Sequence, residues 1–189
     1  MSSDWRDRKR AETHQRIYEA AMRLFADEGF ETVHVGRIAA EAGVSVPTFY
    51  AHFASKEQIV LPVPSADEMS GFVELAPSDL PLGERIRQLA PYWFAQFRPE
   101  DRVELLARWR IVAGTPALRI RAAEYERATA EALIGAFEKA GGPLPPADRV
   151  VATAYLTAFT ATFLAWADAD GAITLEEAAE MAFRPLRDL

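Results

Sequence analysis

Side chains that can hydrogen-bond to nucleic acid are concentrated in residues 45–56, which read SVPTFYAHFASK. Thr48 and His52 carry donors and acceptors that suit the edges of base pairs in a major groove. Tyr50 offers a phenolic hydroxyl to a phosphate group, and Lys56 adds a positive charge nearby. These residue types at this spacing point to an interface with double-stranded DNA.

Two short helices joined by a glycine-containing turn are predicted to position these side chains. The first of these two helices is expected over residues 36–42, and Gly43 ends it. Ser45 is a good N-cap for the second helix, which is expected over residues 46–52. This arrangement is that of a helix-turn-helix, whose second helix lies in the major groove of DNA. Taken alone, the pattern is also compatible with a helical hairpin that merely fills a core.

Positive charge is concentrated ahead of the predicted helix-turn-helix. Four basic residues fall within five consecutive positions: Arg6, Arg8, Lys9 and Arg10. We expect them to form an arm that neutralises DNA phosphates, ahead of a helix over residues 11–28. The chain carries a net charge of −7, but residues 1–61 hold 8 basic and 9 acidic side chains, whereas residues 62–189 hold 13 and 19. The acidic excess therefore belongs to the second part of the chain and does not exclude DNA as a partner of the first.

Residues 12–61 closely resemble the N-terminal DNA-binding domain of TetR-family transcriptional regulators. The stretch IAAEAGVSVPTFYAHFASKEQIV matches the family signature almost throughout. Position by position, the resemblance implies DNA contacts at Arg37, Ser45, Val46, Pro47, Thr48, Tyr50, His52 and Lys56. Arg8 and Arg10 of the basic arm complete the predicted interface. Two positions depart from the family pattern, since His34 stands where a hydroxyl N-cap is usual and Gly36 where a larger side chain is common.

The second part of the chain is predicted to be a separate helical domain. A fourth helix is predicted to begin after Ser55, and Pro62 and Pro64 interrupt it. We therefore place the boundary there, with domains at residues 1–61 and 62–189. Ser65 begins a segment with the spacing of a capping box, which restarts the helix. Further helices are expected over 82–97, 100–113, 116–139 and 147–167, and after Thr174. Because no segment alternates with a period of two, the predicted fold is all-α, with a three-helix DNA-binding domain followed by a helical ligand-binding and dimerisation domain.

Aromatic side chains are frequent in this second domain. The predicted ligand-binding residues are Trp93, Phe97, Trp109, Tyr125, Tyr155, Phe159 and Phe163. Together they suit a small, largely apolar or aromatic effector with few polar groups, although any one of them can instead fill the core. Four arginines either meet an anionic end of the ligand or stay solvated and paired with glutamates: Arg108, Arg110, Arg119 and Arg121.

Residues 108–133, which read RWRIVAGTPALRIRAAEYERATAEAL, resemble one subgroup of the same family. The ligand domains of that subgroup are linked to fatty acyl or acyl-CoA signals, and to antibiotic or redox-cofactor gene clusters. The resemblance implies that the second domain binds a small-molecule effector.

A narrow stripe of alanines lies beside the aromatic face of the helix predicted over 147–167. Its members are Ala154, Ala158, Ala161 and Ala165. Small residues let helices approach closely. We therefore expect this stripe to form the two-fold seam of a homodimer built from the last two helices.

Several classes of function are disfavoured by residues and motifs that the chain lacks. It contains no cysteine, its three histidines all lie within residues 1–61, and it has no HExxH, GxSxG, P-loop or GxGxxG pattern. We therefore predict no catalytic residue, no metal site and no cofactor, and we do not expect an enzyme. The sequence also has no run of eighteen apolar residues and no apolar stretch near its start. This favours a cytoplasmic protein that does not enter a membrane.

These observations favour a homodimeric, ligand-responsive transcriptional regulator, most simply a repressor, that binds a pseudo-palindromic DNA operator. Resemblance to the TetR family implies that the effector swings the fourth helix. We expect the break at Pro62 and Pro64 to act there as a hinge that decouples or redirects this motion. The alternative is a helical small-molecule-binding protein that does not regulate transcription, which the acidic net charge favours slightly. An activator, or a DNA-binding protein without strict sequence preference, is a third interpretation.

Overall fold

The computed structural model describes residues 2–75, 79–95 and 97–186, without the side chains of residues 2–4, 90–93 and 95. Its helices fall into two compact units, Met1–Pro62 and Val63–Leu189. No strand occurs among the described residues, and the predicted all-α fold class is confirmed.

The first unit begins with one long helix and continues with three short ones. They are α1 (Ser2–Glu28), α2 (Val35–Glu41), α3 (Val46–Tyr50) and α4 (Glu57–Val60). The predicted start of α1 at residue 11 is wrong, because the basic residues of the expected arm form the first turns of the helix. Residues 2–10 contain neither glycine nor proline, and their arginine and lysine side chains have high helix propensity. The predicted end is confirmed, since Gly29 adopts a φ of +83° directly after the helix.

Each of the first three helices contributes at least one fully buried residue to the core of the first unit. Ile17 of α1, Ile38 of α2 and Phe49 of α3 are each 0% exposed. Burial of Phe49 sets the orientation of α3, because the other side chains of such a short helix must then point sideways or outward. The core therefore decides which face of α3 meets solvent.

The second unit is built from longer helices. They are α5 (Ala66–Glu74), α6 (Leu82–Ala95), α7 (Pro99–Gly114), α8 (Pro116–Gly141), α9 (Pro146–Asp168) and α10 (Leu175–Phe183), followed by a 3-10 turn (Arg184–Leu186). The predicted break at the two prolines is confirmed, since α4 ends before them and α5 starts after them. Both predicted capping boxes are confirmed as well, because Ser65 with Glu68 and Thr174 with Glu177 each form the two reciprocal hydrogen bonds.

Helix α9 lies at the centre of the second unit. It packs against α6, α7, α8 and α10. Its length and its mean hydropathy of 1.5 are sufficient, on composition alone, for a membrane span. Its apolar residues are instead used in helix packing, since Ala152, Tyr155 and Thr162 are all buried among the neighbouring helices. We interpret α9 as a core helix.

The alanine stripe on α9 does not face one direction as expected. Ala158 is only 5% exposed and lies inside the protomer. Ala161 is exposed, whereas Ala154 and Ala165 are half-buried. Ala158 is therefore removed from the predicted seam, because the solvent face of α9 is rotated towards other positions: Val150, Thr153, Thr157 and Ala161.

Candidate DNA-binding surface and ligand cavity

Hydrogen bonds between Ser45 and Thr48 hold the start of α3. The hydroxyl of Ser45 accepts from the backbone N–H of Thr48 at 3.2 Å, so the predicted N-cap is confirmed. The hydroxyl oxygens of Ser45 and Thr48 also lie 2.8 Å apart and share a hydrogen bond. Both side chains are thus pre-positioned at the first turn of α3, where the amino end of a recognition helix meets base edges.

The outward face of α3 carries the residues that the sequence predicts to touch DNA. Val46 is 40% exposed and Tyr50 is 53% exposed, whereas Phe49 between them is fully buried. The ring of Tyr50 meets the ring of Phe49 edge-on, with centroids 5.4 Å apart. Pro47 is exposed on the same short helix. This arrangement gives DNA access to a small apolar and phenolic surface that rests directly on the core.

Arg37 of α2, which the sequence predicts to touch DNA, is ion-paired within the first unit. Arg37 lies 3.1 Å from a carboxylate oxygen of Glu41 and 3.6 Å from one of Glu28. All three side chains are well exposed, so these pairs are weak and water competes for them. Arg8 and Arg10 lie on the exposed surface of α1. A DNA phosphate would therefore have to draw Arg37 away from its carboxylates.

Lys56 occupies a different place from the one its predicted phosphate contact suggests. Its ammonium group donates hydrogen bonds to the carbonyl oxygens of Phe30 at 2.7 Å and Val33 at 2.9 Å. It also lies 4.3 Å from the centre of the Phe30 ring. These contacts tie the beginning of α4 to the turn between α1 and α2. The sequence carries no signal for them, because the partners are 26 and 23 residues away along the chain.

His52 lies directly beyond α3 and faces a residue that the sequence prediction missed. Its ring centroid is 5.9 Å from that of His14 on α1. The His14 ring in turn stacks on Phe53, with centroids 4.2 Å apart and planes 21° apart. Burial and the charge of Arg10 lower the pKa of both imidazoles.

Comparison with known proteins assigns this first unit. A family model described as bacterial regulatory proteins, tetR family, matches residues 17–63. The chain carries the helix-turn-helix domain of the TetR family. An uncharacterized HTH-type transcriptional regulator of Bacillus subtilis (strain 168), YerO, is 44% identical over 50 residues, which are 26% of this chain and 17% of that protein. An HTH-type transcriptional regulator of Staphylococcus aureus (strain USA300) is 44% identical over 48 residues, or 25% of this chain and 26% of that one.

The fold likeness to TetR-family structures extends over nearly the whole chain. A TetR-family structure from Syntrophomonas wolfei has a TM-score of 0.57 at 23% identity and covers 92% of each chain. NalD of Pseudomonas aeruginosa, the secondary repressor of the MexAB-OprM multidrug efflux pump, has a TM-score of 0.53 at 18% identity, over 93% of this chain and 96% of its own. The sequence relatives, by contrast, are matched over only about a sixth to a quarter of their length. The second unit is therefore related to known proteins by its fold alone.

The second unit contains a cavity of about 90 Å³. Three of the predicted ligand-binding residues line it, namely Tyr125, Phe159 and Phe163. The sequence prediction missed part of the wall: Pro64, and Met69 and Phe72 of α5. Pockets for drug-sized ligands usually measure about 300–1,000 Å³. The cavity in this conformation has room only for a small apolar molecule or one end of a larger one, so a larger ligand would require the surrounding helices to separate.

Three of the remaining predicted ligand residues, all of them described, do not line the cavity. Trp109 is 2% exposed and stacks behind the wall on Phe163, with ring centroids 4.9 Å apart. Tyr155 is 3% exposed and packs 5.9 Å from Phe183. Phe97 is half-buried and accepts a hydrogen bond from Arg102 through its carbonyl oxygen. The side chain of Trp93 lies outside the described residues.

Polar groups in the cavity wall are already committed to hydrogen bonds with the backbone. The hydroxyl of Thr129 donates to the carbonyl of Tyr125 at 2.8 Å, and that of Thr160 donates to the carbonyl of Leu156 at 3.3 Å. Burial raises the pKa of Tyr125, so its phenol stays neutral at physiological pH. The cavity therefore favours an uncharged, apolar occupant.

Most of the four arginines considered for an anionic ligand are occupied elsewhere. Arg110 pairs with Asp170 at 2.8 Å, Arg119 pairs with Asp168, and Arg121 lies 3.5 Å from Glu124. Arg110 and Arg119 thereby brace the turn after α9, where Asp170 has a φ of +51°. Arg108 differs, since its Nε atom is buried without a hydrogen-bond partner. Among the described residues, no cluster of three or more histidine or acidic side chains suits a metal ion.

Proposed function

We propose that this TetR-family protein is a homodimeric, sequence-specific DNA-binding repressor that leaves its operator when a small, largely apolar ligand enters the second unit. The observation that carries the proposal is the exposed face of α3, where Val46 and Tyr50 stand on the buried Phe49 behind a Ser45 N-cap. A rigid, outward-facing recognition helix of this kind can enter a major groove without reorganisation. The protein would act in the cytoplasm, where its DNA is.

Two copies of the chain are needed to read a pseudo-palindrome, because half-sites lie about one helical turn of DNA, roughly 34–36 Å, apart. The exposed face of α9 supports a seam for them, since Val150 is 69% exposed. Val150 borders a groove of about 650 Å³ whose walls include Arg127 and Glu131 of α8. Both signs of charge on one surface suit a two-fold contact, in which each charge meets its opposite on the second copy.

The seam can be tested by introducing charge into it. Val150→Arg is expected to turn the dimer into a monomer in sedimentation velocity. Val103→Arg is the matched control, because Val103 of α7 is equally exposed at 72% but lies outside the groove. A dimer that survives Val150→Arg places the seam on another face.

Ligand control is supported by the composition of the cavity wall. Pro64, Met69 and Phe72 line the cavity, and they follow directly in sequence after the DNA-binding unit. A ligand that wedges the cavity open would displace α5, and the Pro62–Pro64 break would serve as the hinge that passes the movement on. Such coupling is typically worth about 1–3 kcal/mol. Pro62→Ala should then change ligand-induced release more than basal DNA affinity, and equal changes in both would contradict the hinge.

The proposal is tested by fluorescence anisotropy on DNA that flanks the gene for this protein. Tight binding that weakens steeply with salt is expected for the wild type, because Lys and Arg contacts release counterions from the phosphates. Tyr50→Ala should weaken binding about tenfold or more by removing a hydrogen bond to a charged group. A bound complex then allows acyl-CoAs and aromatic metabolites to be screened for release. A folded protein with no preference over mixed-sequence DNA, but with a ligand, would instead support the alternative of a small-molecule-binding protein without a role in transcription.

A further inference from the structure

Three basic side chains meet where α1 packs against the end of the recognition helix. The centroids of the His14 and His52 rings are 5.9 Å apart, and Arg10 lies one helical turn before His14 on the same side of α1. The ring of His14 is held in place because it stacks on Phe53 at 4.2 Å. We call Arg10, His14 and His52 the basic cluster.

The two imidazoles of the basic cluster can be protonated or uncharged. Burial and the positive charge of Arg10 lower the pKa of both imidazoles, and His14 lowers that of His52 further. The charged and titratable groups that act on the two rings, Arg10 on both and His14 on His52, all belong to α1. Among the described residues, no carboxylate contributes to either shift. Free protein at neutral pH therefore carries both imidazoles uncharged beside a permanently charged guanidinium.

The position of the cluster indicates what would change its charge. His52 lies two residues beyond Tyr50, at the carboxyl end of the exposed α3 surface. When a recognition helix lies in the major groove, side chains at its flanks and on the preceding helices meet the phosphate backbone. A phosphate oxygen beside the cluster supplies the negative charge that the free protein lacks there, and this favours the protonated form of each ring.

We propose that Arg10, His14 and His52 form a backbone-phosphate site in which the two imidazoles take up protons from solvent as DNA binds. His14 is thereby added to the DNA-binding residues. The proposal rests on the DNA-binding function proposed above. Because the bound state holds more protons than the free state, affinity for DNA must rise as the pH falls, in the window above the free-protein pKa values and below the bound ones.

The first test measures the pH dependence of DNA affinity with the full-length chain. The probe is a fluorescein-labelled 30-base-pair duplex of mixed sequence, since phosphate contacts do not require an operator. Kd is measured from pH 5.5 to 8.0 at fixed ionic strength. Wild type is expected to bind more tightly at low pH, by up to roughly tenfold per pH unit for each imidazole that takes up a proton. His14→Gln and His52→Gln should each reduce this slope, and the double variant should remove most of it.

His34→Gln is the matched control, because His34 is the remaining histidine, is exposed, and makes no capping hydrogen bond with its side chain. It should keep the wild-type slope. A double variant that folds and retains the full slope would overturn the proposal while leaving DNA binding intact. Absence of DNA binding by wild type at every pH would overturn the proposed function as well, so the two failures are distinguishable.

The second test needs no variant and therefore does not depend on folding of a mutant. The imidazole pKa values are followed by NMR of histidine-labelled protein, with and without the same duplex. The pKa values of His14 and His52 should lie below the ordinary histidine value in free protein and rise on adding DNA. No rise, or an equal rise at His34, would contradict a phosphate site at the cluster.

Discussion

The two units of this protein place their candidate functional side chains differently, one outside its core and the other within it. In the first unit, Tyr50 is 53% exposed and stands outside a core that Phe49 fills. In the second unit, Phe163 is 5% exposed and lines the cavity from within the core. A surface site can be altered with little effect on stability, whereas a cavity wall serves folding and ligand binding together.

This difference decides how each unit can be dissected by mutation. In the DNA-binding unit, neighbouring residues separate the two roles, because Phe49 supports the fold and Tyr50 meets solvent. In the cavity, Phe163 stacks on Trp109, so a change that alters the ligand site also alters the packing behind it. Experiments on the second unit must therefore measure stability and binding side by side.

The largest expected effect is from Phe163→Ala in the cavity wall. Loss of a buried aromatic side chain should lower the free energy of unfolding by about 3–5 kcal/mol. Urea unfolding followed by tryptophan fluorescence measures it, since Trp109 and Trp166 lie in the same unit. Val103→Ala on the exposed surface of α7 is the control and should be nearly neutral. A Phe163→Ala protein as stable as wild type would contradict this difference between the two units, because the cavity wall would then be as dispensable to folding as the α3 surface.

A smaller effect is expected from Lys56→Met in the first unit. It removes two hydrogen bonds from a charged donor, and these bonds should stabilise the unit by about 2 kcal/mol. If Lys56 positions α4 rather than binding phosphate, the salt dependence of DNA binding should stay unchanged. Arg8→Ala provides the contrast, since loss of one phosphate contact reduces the salt slope by about one. A reduced slope with unchanged stability in Lys56→Met would move Lys56 from the fold to the DNA interface.

The smallest effect concerns the two capping boxes. Ser65→Ala should cost about 1 kcal/mol and loosen α5, which carries Met69 and Phe72 of the cavity wall. The Ser65 side chain and backbone hold the pKa of Glu68 below its ordinary value of 4.5. A lowered carboxyl pKa contributes stability above the ordinary value and loses it as the pH falls through the lowered one.

Thermal unfolding at pH 7 and at pH 3 measures this contribution, and Ser65→Ala should differ from wild type less at the lower pH. Thr174→Ala removes the equivalent N-cap of α10, which contributes no side chain to the cavity wall, and should leave ligand binding unchanged. Equal losses of ligand binding in both variants would contradict a specific role for α5.

Much of the local structure follows from short-range signals in the sequence. The N-cap at Ser45, the two capping boxes and the break before α5 were all predicted, because each depends on residues within four positions of one another. The start of α1 was not, since a basic segment with high helix propensity also reads as an extended arm. Apart from the start of α1, helix starts and stops are the part of this fold that sequence patterns describe best.

The sequence by itself determined that the chain is all-α, because no segment alternates with a period of two. It also determined that the chain carries a TetR-family helix-turn-helix, because a dense local motif specifies that domain. Only the tertiary structure decided what Lys56 and His14 do, since their partners Phe30 and Phe53 come from other helices and turns. The tertiary structure likewise decided which aromatic residues of the second unit line the cavity and which fill the core, although they share the same helical spacing. That division depends on how α5, α8 and α9 pack together, and no periodicity within a single helix encodes it.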